Sequence, residues 1–535
     1  MYPIQGSRNP PSMAKGFETH ARTVTVLTLI SRVTGFARDA LLARVFGAGA
    51  VMDAFNFAFT VPNLFRRLFG EGALSASFLP VYTRLVRDTP EAAQQFGGLM
   101  VGLLAVFLAV LTLLGELVLW LIYGNDPHAA LGSYLLMVML PYMPLVCLVA
   151  LLGAILQVHG RFGPTAASPI ILNLGMVGAA YWGSYYAQNL GLSAHMDAIP
   201  HIKMVAWSVI AAGLVQVAWS WWALRHYKLR VHLNIHTSRE HFMEVCRKAL
   251  PMLLGLGIFQ VNTFVDNLVA SYRTMVGDTI FGIPYPLPEG SMTELSYGQR
   301  LYEFPLGVFG ISIATAIFPA LARDSNNTPA FLDTLRRGLR LTMFIGLPAS
   351  VGLVLVRNDL SAAIFQGGKF TAEDARGVGF VLAMYAPAIW AYSMQQVVTR
   401  AFYALGDSTT PVRISVWMVA LNFLLNITLI WTPLGVGGLA LSTAIAAVVQ
   451  IFILQRMLTR RLGPTVDGST RASWGWTALA SGIMAAAVLA VQYVLPAEDT
   501  WRWSVARLAV LCVVGGGAFW LAAYLMRRPE LRQLR

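Results

Sequence analysis

The chain has 535 residues, of which 56% are hydrophobic and only 12% are charged, and its mean hydropathy is +0.60. These values exclude a soluble globular enzyme or binding domain, because apolar runs long enough to cross a bilayer recur from one end of the sequence to the other. The formal net charge of +13 does not indicate nucleic-acid binding, because the basic residues concentrate in loops that we assign to the cytoplasmic side, where they meet anionic lipid headgroups.

A window of about twenty residues predicts about fourteen membrane-spanning helices. We therefore expect an all-α polytopic membrane protein with both termini in the cytoplasm. Residues 1–22 are predicted to be a cytoplasmic tail, because they lack the short apolar region and the cleavage site of a removable signal peptide. Translation can start at Met1 or at Met13. The predicted spans are 23–46, 51–83, 95–123, 131–157, 163–185, 203–225, 244–272, 293–322, 334–356, 374–399, 412–432, 436–457, 473–495 and 503–526.

The stretch 31–80, within the first two spans, holds more charge than lipid-facing helices tolerate. A charge at the centre of a lipid-facing helix costs at least about 2.5–3.5 kcal/mol, so these side chains are expected to line a polar cavity. The second span also contains Pro62, and we expect it to be kinked or broken where it borders that cavity. The charged residues of the stretch are Arg32, Arg38, Asp39, Arg44, Asp53, Arg66, Arg67 and Glu71.

A basic loop between the sixth and seventh spans divides the predicted bundle into two halves. A faint repeat supports this division, since LFGEGALSASF at 68–78 and VFGISIATAIF at 308–318 share several small and aromatic positions. Two six-helix repeats with the substrate site between them are a known transporter plan. The predicted domains are an N-lobe at 23–235, a C-lobe at 236–462, and two further helices with the C-terminal tail at 463–535.

The second half also carries charges inside apolar spans. Arg300 and Glu303 stand three residues apart at the start of the eighth span, where they could form a structural bridge or contact a ligand. Asp266 lies in the seventh span beside Asn262 and Asn267. An intramembrane carboxylate indicates a cation or proton site, and the alternative is a salt bridge to an arginine across the cavity.

No motif indicates catalysis. QGGKFT at 366–371 lacks the spacing and the preceding strand of a phosphate-binding loop, and neither HExxH nor GxSxG occurs. The three cysteines, Cys147, Cys246 and Cys512, are scattered without a CxxC pair, so we interpret them as packing residues. We therefore predict a protein that is not an enzyme, with no catalytic residue, no metal site and no cofactor.

Five sequence blocks resemble, in this order, the MurJ (MviN) family of lipid II flippases, within the multidrug/oligosaccharidyl-lipid/polysaccharide exporter superfamily. They are SRVTGFARDALLARVFGAG, DAFNFAFTVPNLFRRLFGEGALSASFLPV, QRLYEFPLGVFGISIATAIFPALA, FQGGKFTAEDA and FYALGDSTTPV. The resemblance extends over about residues 23–526. It implies a fourteen-helix fold, two six-helix lobes around a central cationic cavity, and a lipid groove made by the last two helices.

The resemblance also assigns roles to residues of the charged stretches. The family's essential residues correspond to Arg32, Arg38, Arg66 and Arg300 for the cavity arginines, to Asp53 for the early aspartate and to Glu303 for the glutamate of span eight. Thr60 stands where some relatives have lysine. An aspartate of the sodium site in some members matches Asp266, and the coupling is left open between Na⁺, H⁺ and the membrane potential. The predicted substrate-binding set is Arg32, Arg38, Asp39, Asp53, Arg66, Arg67, Glu71, Arg300 and Glu303.

We therefore predict a flippase that moves lipid II from the cytoplasmic to the periplasmic leaflet of the bacterial inner membrane by alternating access. Arginines suit its pyrophosphate, because a guanidinium stays charged and binds oxygens bidentately. The expected partners are lipid II and membrane lipids, with the cell-wall synthesis machinery as a candidate. Two alternatives stay open: another exporter of the superfamily, for O-antigen-type lipids or cation-coupled drug export, and a membrane glycosyltransferase that uses the same lipid.

Overall fold

The computed structural model is almost entirely helical. It describes residues 13–124, 130–189, 198–227, 229 and 239–533, with side chains left undescribed at 13–23, 70–76 and a few other positions. A short antiparallel hairpin, β1 (Thr279–Ile280) and β2 (Ile283–Pro284), follows the ninth helix. The helices are α1 (Met13–Phe46), α2 (Ala50–Phe65), α3 (Ala73–Asp88), α4 (Pro90–Tyr123), α5 (Ala130–Met139), α6 (Tyr142–Val158), α7 (Gly163–Asn189), α8 (Ala198–His226), α9 (Arg239–Met275), α10 (Ser291–Pro305), α11 (Ile311–Arg323), α12 (Thr328–Phe365), α13 (Ala372–Tyr385), α14 (Ile389–Ala404), α15 (Thr409–Leu429), α16 (Val436–Leu462), α17 (Gly468–Val494), α18 (Trp501–Leu525) and α19 (Glu530–Gln533).

The helices follow the predicted order of the membrane spans. Four pairs are joined end to end: α2 with α3, α5 with α6, α10 with α11, and α13 with α14. When each pair is taken as one, α1 to α18 form fourteen segments in the described part of the chain. Nine spans among the described residues are long and apolar enough to cross a membrane by length and composition alone. Others, such as α1 and α9, are as long but carry charged residues. The prediction of an all-α polytopic membrane protein is confirmed.

The chain forms two compact units, and their boundaries fall within α1, α2 and α9. The first unit comprises α1 up to Leu42 together with Ala58–Gly257, and the second comprises Ala43–Phe57 and the chain from Ile258 onward. In the first unit, α8 packs against α6 and α7, while α3 and α4 pack on α6. The lobe boundaries predicted from the sequence stay predictions.

Each half of the internal repeat contains a π-helical turn. In the first unit the turn Arg66–Gly72 joins α2 to α3, and in the second unit the turn Leu306–Gly310 joins α10 to α11. The two turns begin 240 residues apart, which is also the offset of the repeat. A proline precedes each turn, Pro62 in one case and Pro305 in the other, and proline disrupts the regular helical hydrogen bonds. The interruption predicted for the second span is therefore present, and it has a counterpart in the other unit.

The core of the second unit is built from two groups of helices. Apolar side chains of α11, α12, α14, α15 and α16 pack around residues such as Phe331. In addition, α12 shares two smaller clusters with α17 and α18, one around Phe344 and one around Val356. A buried ion pair adds to the second group, since Arg507 Nη1 of α18 lies 2.9 and 3.0 Å from the two carboxylate oxygens of Asp359 in α12. Arg507 Nε also donates to the Leu495 carbonyl at 2.7 Å, so α18 is tied to two neighbours by one side chain.

The QGGKFT loop at 366–371 holds the last part of α1 within the second unit. The backbone N–H of Lys369 donates to the Arg44 carbonyl at 2.7 Å. Gly368 has φ +57°, and a Cβ at this position would overlap the same carbonyl oxygen, so only glycine fits here. The Arg44 guanidinium lies 5.3 Å from the Trp501 ring of α18. The loop therefore acts as a tight turn that packs against α1.

Candidate functional site

In the first unit, α1 carries a buried arginine–aspartate pair that an asparagine of α7 completes. Arg38 and Asp39 are 6% and 4% exposed. Arg38 donates from Nε and Nη2 to Asp39 Oδ1 at 2.9 and 2.8 Å, and from Nη1 to Asn173 Oδ1 at 3.0 Å. The Arg38 guanidinium also lies 5.8 Å from the Phe59 ring. Arg32, six residues earlier on the same helix, is exposed.

The π-helical turn after α2 places further predicted residues in the same unit. Arg66 is partly buried, and its Nε donates to an asparagine side chain one turn earlier at 3.2 Å, whereas Arg67 is exposed. The turn packs against α6 of the same unit, and the Arg38 guanidinium lies at the Phe59 ring, two helical turns before Arg66. These two arginines therefore lie in one region of the first unit. Glu71 belongs to the turn, but its side chain lies outside the described residues.

Asp53 belongs to the second unit, where its carboxylate caps the N-terminus of α10. The side chain is fully buried. Asp53 Oδ2 accepts from the Gly290 N–H at 2.6 Å, and Oδ1 accepts from the N–H and the hydroxyl of Thr293 at 2.8 and 2.7 Å. The first N–H groups of a helix lack internal partners and carry partial positive charge, so a carboxylate stabilises them. These hydrogen bonds hold the segment Ala43–Phe57 against α10. Contact between Asp53 and a substrate stays a prediction.

Arg300 and Glu303 lie on the last turns of α10, directly before the second π-helical turn. Both are partly buried, and Glu303 Oε1 accepts from Gln299 Nε2 at 3.1 Å. Tyr302, beside Glu303, stacks on Tyr385 of α13 with ring centroids 4.4 Å apart. This position repeats the pattern of the first unit, where charged residues also stand at a π-helical turn, and such turns are frequent at functional sites. Ligand contact by Arg300 and Glu303 stays a prediction.

Asp266 lies in a buried polar network that joins α9, α15 and α16 of the second unit. Its carboxylate accepts from Asn426 Nδ2 at 2.5 Å and from Thr443 Oγ1 at 3.4 Å, and the amide of Asn422 lies 3.0 Å from Oδ1. The Ser442 hydroxyl extends the network by donating to Asn426. In the part of the chain that the structure describes, the hydrogen-bond partners of Asp266 are amides and a hydroxyl. A buried carboxylate whose described partners are neutral is a candidate site for a cation or a proton.

The sequence reasoning missed the polar residues that complete these clusters. Asn173 is an amide in an otherwise apolar span, and Asn422 and Asn426 stand four residues apart on one face of α15. Amides within membrane spans, and amides at helical spacing, were the signals that could have identified them.

Comparison with known proteins gives a consistent match over nearly the whole chain. The family model described as "Lipid II flippase MurJ" matches residues 42–527. A "Probable lipid II flippase MurJ" from Vibrio cholerae serotype O1 is 30% identical over 542 aligned positions, which cover 96% of each chain. A protein of the same name from Buchnera aphidicola subsp. Acyrthosiphon pisum is 32% identical over 451 positions, which cover 82% of this chain and 83% of that one.

Solved structures match the fold. A structure of the lipid II flippase MurJ in an inward closed conformation aligns with a TM-score of 0.76 at 22% identity, over 95% of this chain and 99% of that chain. An inward-facing multidrug resistance MATE family transporter of the MOP superfamily aligns with a TM-score of 0.65 at 14% identity, over 83% of this chain and 98% of that one. At these identities the structures show a shared fold.

Proposed function

The chain belongs to the MurJ family of lipid II flippases, and from that premise we propose that it moves lipid II from the cytoplasmic to the periplasmic leaflet of the bacterial inner membrane. Lipid II combines a pyrophosphate, a disaccharide-peptide headgroup and a long polyprenyl tail. Each polar group of the headgroup would cost several kcal/mol if it crossed hydrocarbon without a partner. A transporter whose helices carry charged side chains in their interior offers partners to these polar groups and so removes the cost. The polyprenyl tail of lipid II stays in the membrane.

The observation that carries this proposal is the cluster of arginines inside the first unit. Arg38 is buried beside the Phe59 ring of α2, and Arg66 is partly buried in the π-helical turn that directly follows α2. Charges held in the interior of apolar helices are costly and are typical of substrate pathways. Arginine binds phosphate oxygens through a planar fork of donors and keeps its charge even when it is buried. The cluster therefore suits an anionic headgroup better than a cationic drug.

We propose that the headgroup is bound by the charged residues that the sequence predicts. Four arginines would bind the pyrophosphate, and the acids among them would orient the guanidinium groups or bind the sugar and peptide. Asp53 would act differently, because its carboxylate is already bonded to the N-terminus of α10. The full set is Arg32, Arg38, Asp39, Asp53, Arg66, Arg67, Glu71, Arg300 and Glu303.

Orientation and partners are part of the same proposal. Both termini would be cytoplasmic, because the basic residues concentrate in the loops on that side under the positive-inside rule. Those loops would contact anionic membrane lipids. The product of the transport step is consumed by enzymes that build peptidoglycan, so we propose the cell-wall synthesis machinery as a partner.

We further propose that the Asp266 network couples transport to a cation, a proton or the membrane potential. The network places a buried carboxylate of α9 among neutral amide and hydroxyl groups of α15 and α16 in the second unit. Asp266→Asn removes the negative charge but keeps the size of the side chain. We expect transport by this variant to lose its dependence on Na⁺ or on the membrane potential. Unchanged transport with unchanged ion dependence would reduce Asp266 to a structural residue.

The decisive experiment measures lipid II binding by native mass spectrometry for the purified full-length protein and its variants. Charged hydrogen bonds are worth about 1.5–3 kcal/mol each, so Arg66→Ala should weaken lipid II binding roughly tenfold to a hundredfold. Arg66→Lys keeps the charge but loses the planar fork, so it should retain part of the affinity.

A matched control is available on the surface of the second unit. Arg323 at the end of α11 is exposed and pairs with its neighbour Asp324, so Arg323→Ala should leave lipid II binding unchanged. Melting temperatures in detergent accompany each measurement. An Arg66→Ala variant that is as stable as the parent and binds lipid II equally well would refute the pyrophosphate assignment.

A further inference from the structure

We propose that Asn173 of α7 is a positioning residue for lipid II recognition, because its side-chain amide holds the Arg38 guanidinium and the part of α1 that presents Arg32. The inference rests on the proposed function of the α1 arginines. It adds a neutral residue from a different helix whose effect on the lipid passes through Arg38.

The hydrogen bonds that the structure describes for the Asn173 side chain are all made to α1. Asn173 is 4% exposed, and its Oδ1 accepts from Arg38 Nη1 at 3.0 Å. Its Nδ2 donates to the Ser31 carbonyl at 3.2 Å and to the Thr34 hydroxyl oxygen at 3.1 Å. The Thr34 hydroxyl in turn donates to the Ser31 carbonyl at 3.0 Å. One amide therefore holds three residues that are spread over two turns of α1.

The orientation of this amide follows from the chemistry of its partners. A guanidinium group has donors only, so the amide oxygen must face Arg38. A backbone carbonyl has no donor, so the amide nitrogen must face Ser31. The reversed orientation would lose both hydrogen bonds at once. Asparagine is thus the residue type that serves both partners, and neither aspartate nor a hydroxyl residue supplies the same acceptor and donors.

Arg38 depends on such support because of its place on the helix. Adjacent residues of a helix do not normally face each other, yet Arg38 reaches its neighbour Asp39 with Nε and Nη2. Its long side chain must therefore lie along the surface of α1. Asp39 holds one edge of the guanidinium, Asn173 holds Nη1, and the Phe59 ring lies 5.8 Å away. Removal of the amide returns rotamer freedom to Arg38 and so lowers the fraction of molecules with the guanidinium in place.

A double-mutant cycle on the purified full-length protein tests this inference, with lipid II as the probe and native mass spectrometry as the readout. We expect Asn173→Ala to weaken lipid II binding about tenfold, and Arg38→Ala to weaken it at least as much. Because Asn173 acts through Arg38, Asn173→Ala should add less than about twofold in a protein that already carries Arg38→Ala. Two independent effects that multiply would overturn the inference.

The control variant is Gln450→Ala in the second unit. Gln450 is also a buried amide that joins two helices, and its Nε2 donates to Ser415 Oγ of α15 at 2.9 Å. Its loss should lower the melting temperature as Asn173→Ala does, but should leave lipid II binding within about twofold of the parent. If both variants lose affinity in proportion to their loss of stability, Asn173 has only a structural role.

Asn173→Asp separates positioning from folding even where the alanine variant does not fold. A carboxylate still accepts from Arg38, but it adds a second negative charge beside Asp39 and opposes an anionic ligand. We expect this variant to bind lipid II at least tenfold more weakly than the parent while it remains folded. Affinity equal to that of the parent would overturn the inference. If Arg38→Ala itself binds like the parent, the proposed function of the cluster fails with it; if only Asn173→Ala binds like the parent, the inference alone fails.

Discussion

Replacement of Asp53 by alanine is expected to release the first turn of α10 without unfolding the protein. The substitution removes three hydrogen bonds and leaves the backbone N–H groups of Gly290 and Thr293 buried without a partner. Hydrogen bonds to a charged group contribute about 1.5–3 kcal/mol each, and two of them set a lower limit of about 3 kcal/mol. Since every 1.4 kcal/mol is tenfold in an equilibrium constant, local opening of this turn should become at least roughly a hundredfold more frequent.

Hydrogen exchange measured by mass spectrometry reports that opening directly. Peptides that cover residues 285–300 should exchange at least roughly a hundredfold faster in Asp53→Ala than in the parent. Asp374→Ala is the matched control, because Asp374 caps α13 in an exposed capping box with Thr371. The loss of an exposed cap costs about 1 kcal/mol, so this control should speed exchange several-fold at the start of α13 and leave α10 unchanged.

Two outcomes would contradict the reasoning. If Asp53→Ala folds and exchange at residues 290–293 stays within about threefold of the parent, the carboxylate does not hold this turn. If the variant instead loses lipid II affinity with unchanged exchange, Asp53 acts on the substrate, as the sequence predicted. Asp53→Asn should fall between parent and alanine, because its amide oxygen still accepts one hydrogen bond but carries no charge.

Three further predictions concern other parts of the second unit. Arg507→Leu leaves Asp359 as an uncompensated buried charge and should destabilise the protein by about 3–5 kcal/mol. Replacement of both residues by leucine should recover most of the lost melting temperature. An equal loss of melting temperature in the single and the double variant would show that the ion pair does not contribute to stability. Gly368→Ala should lower the melting temperature clearly more than Gly406→Ala. Both glycines have positive φ, but of these two positions only at Gly368 would an added Cβ overlap a backbone oxygen. Equal losses of melting temperature would exclude the steric cause. The pKa of Asp407 lies below its usual value, because the Thr410 backbone N–H and nearby hydroxyls donate to its carboxylate. The carboxylate therefore contributes its full stabilisation above the unfolded-state pKa, near 3.9. That stabilisation is lost as the pH falls through the lower pKa of the folded state. The melting temperature of Asp407→Asn should therefore fall less than that of the parent as the pH is lowered from about 5 to about 3, and identical slopes would refute this.

The sequence by itself determined the helices and the residues that are out of place in lipid. A helix satisfies its backbone hydrogen bonds within one segment, so the apolar windows predict the spans from local information alone. Charges in those windows, such as Arg38, Asp53 and Asp266, stand out because lipid cannot accommodate them. The blocks around them also resembled the family to which the chain belongs. The offset of the repeat even placed both π-helical turns at equivalent positions.

Only the tertiary structure decided which groups these charges meet. Asp53 bonds to Thr293, 240 residues away, and Arg38 bonds to Asn173, 135 residues away. Asp266 meets an amide 160 residues further along the chain. Such pairings depend on the rotation and depth at which one helix packs against another, and no local pattern encodes either quantity. Neutral amides are also inconspicuous in a sequence, because an amide costs little in a membrane span. Its role becomes visible only when the structure shows which buried charge it bonds to.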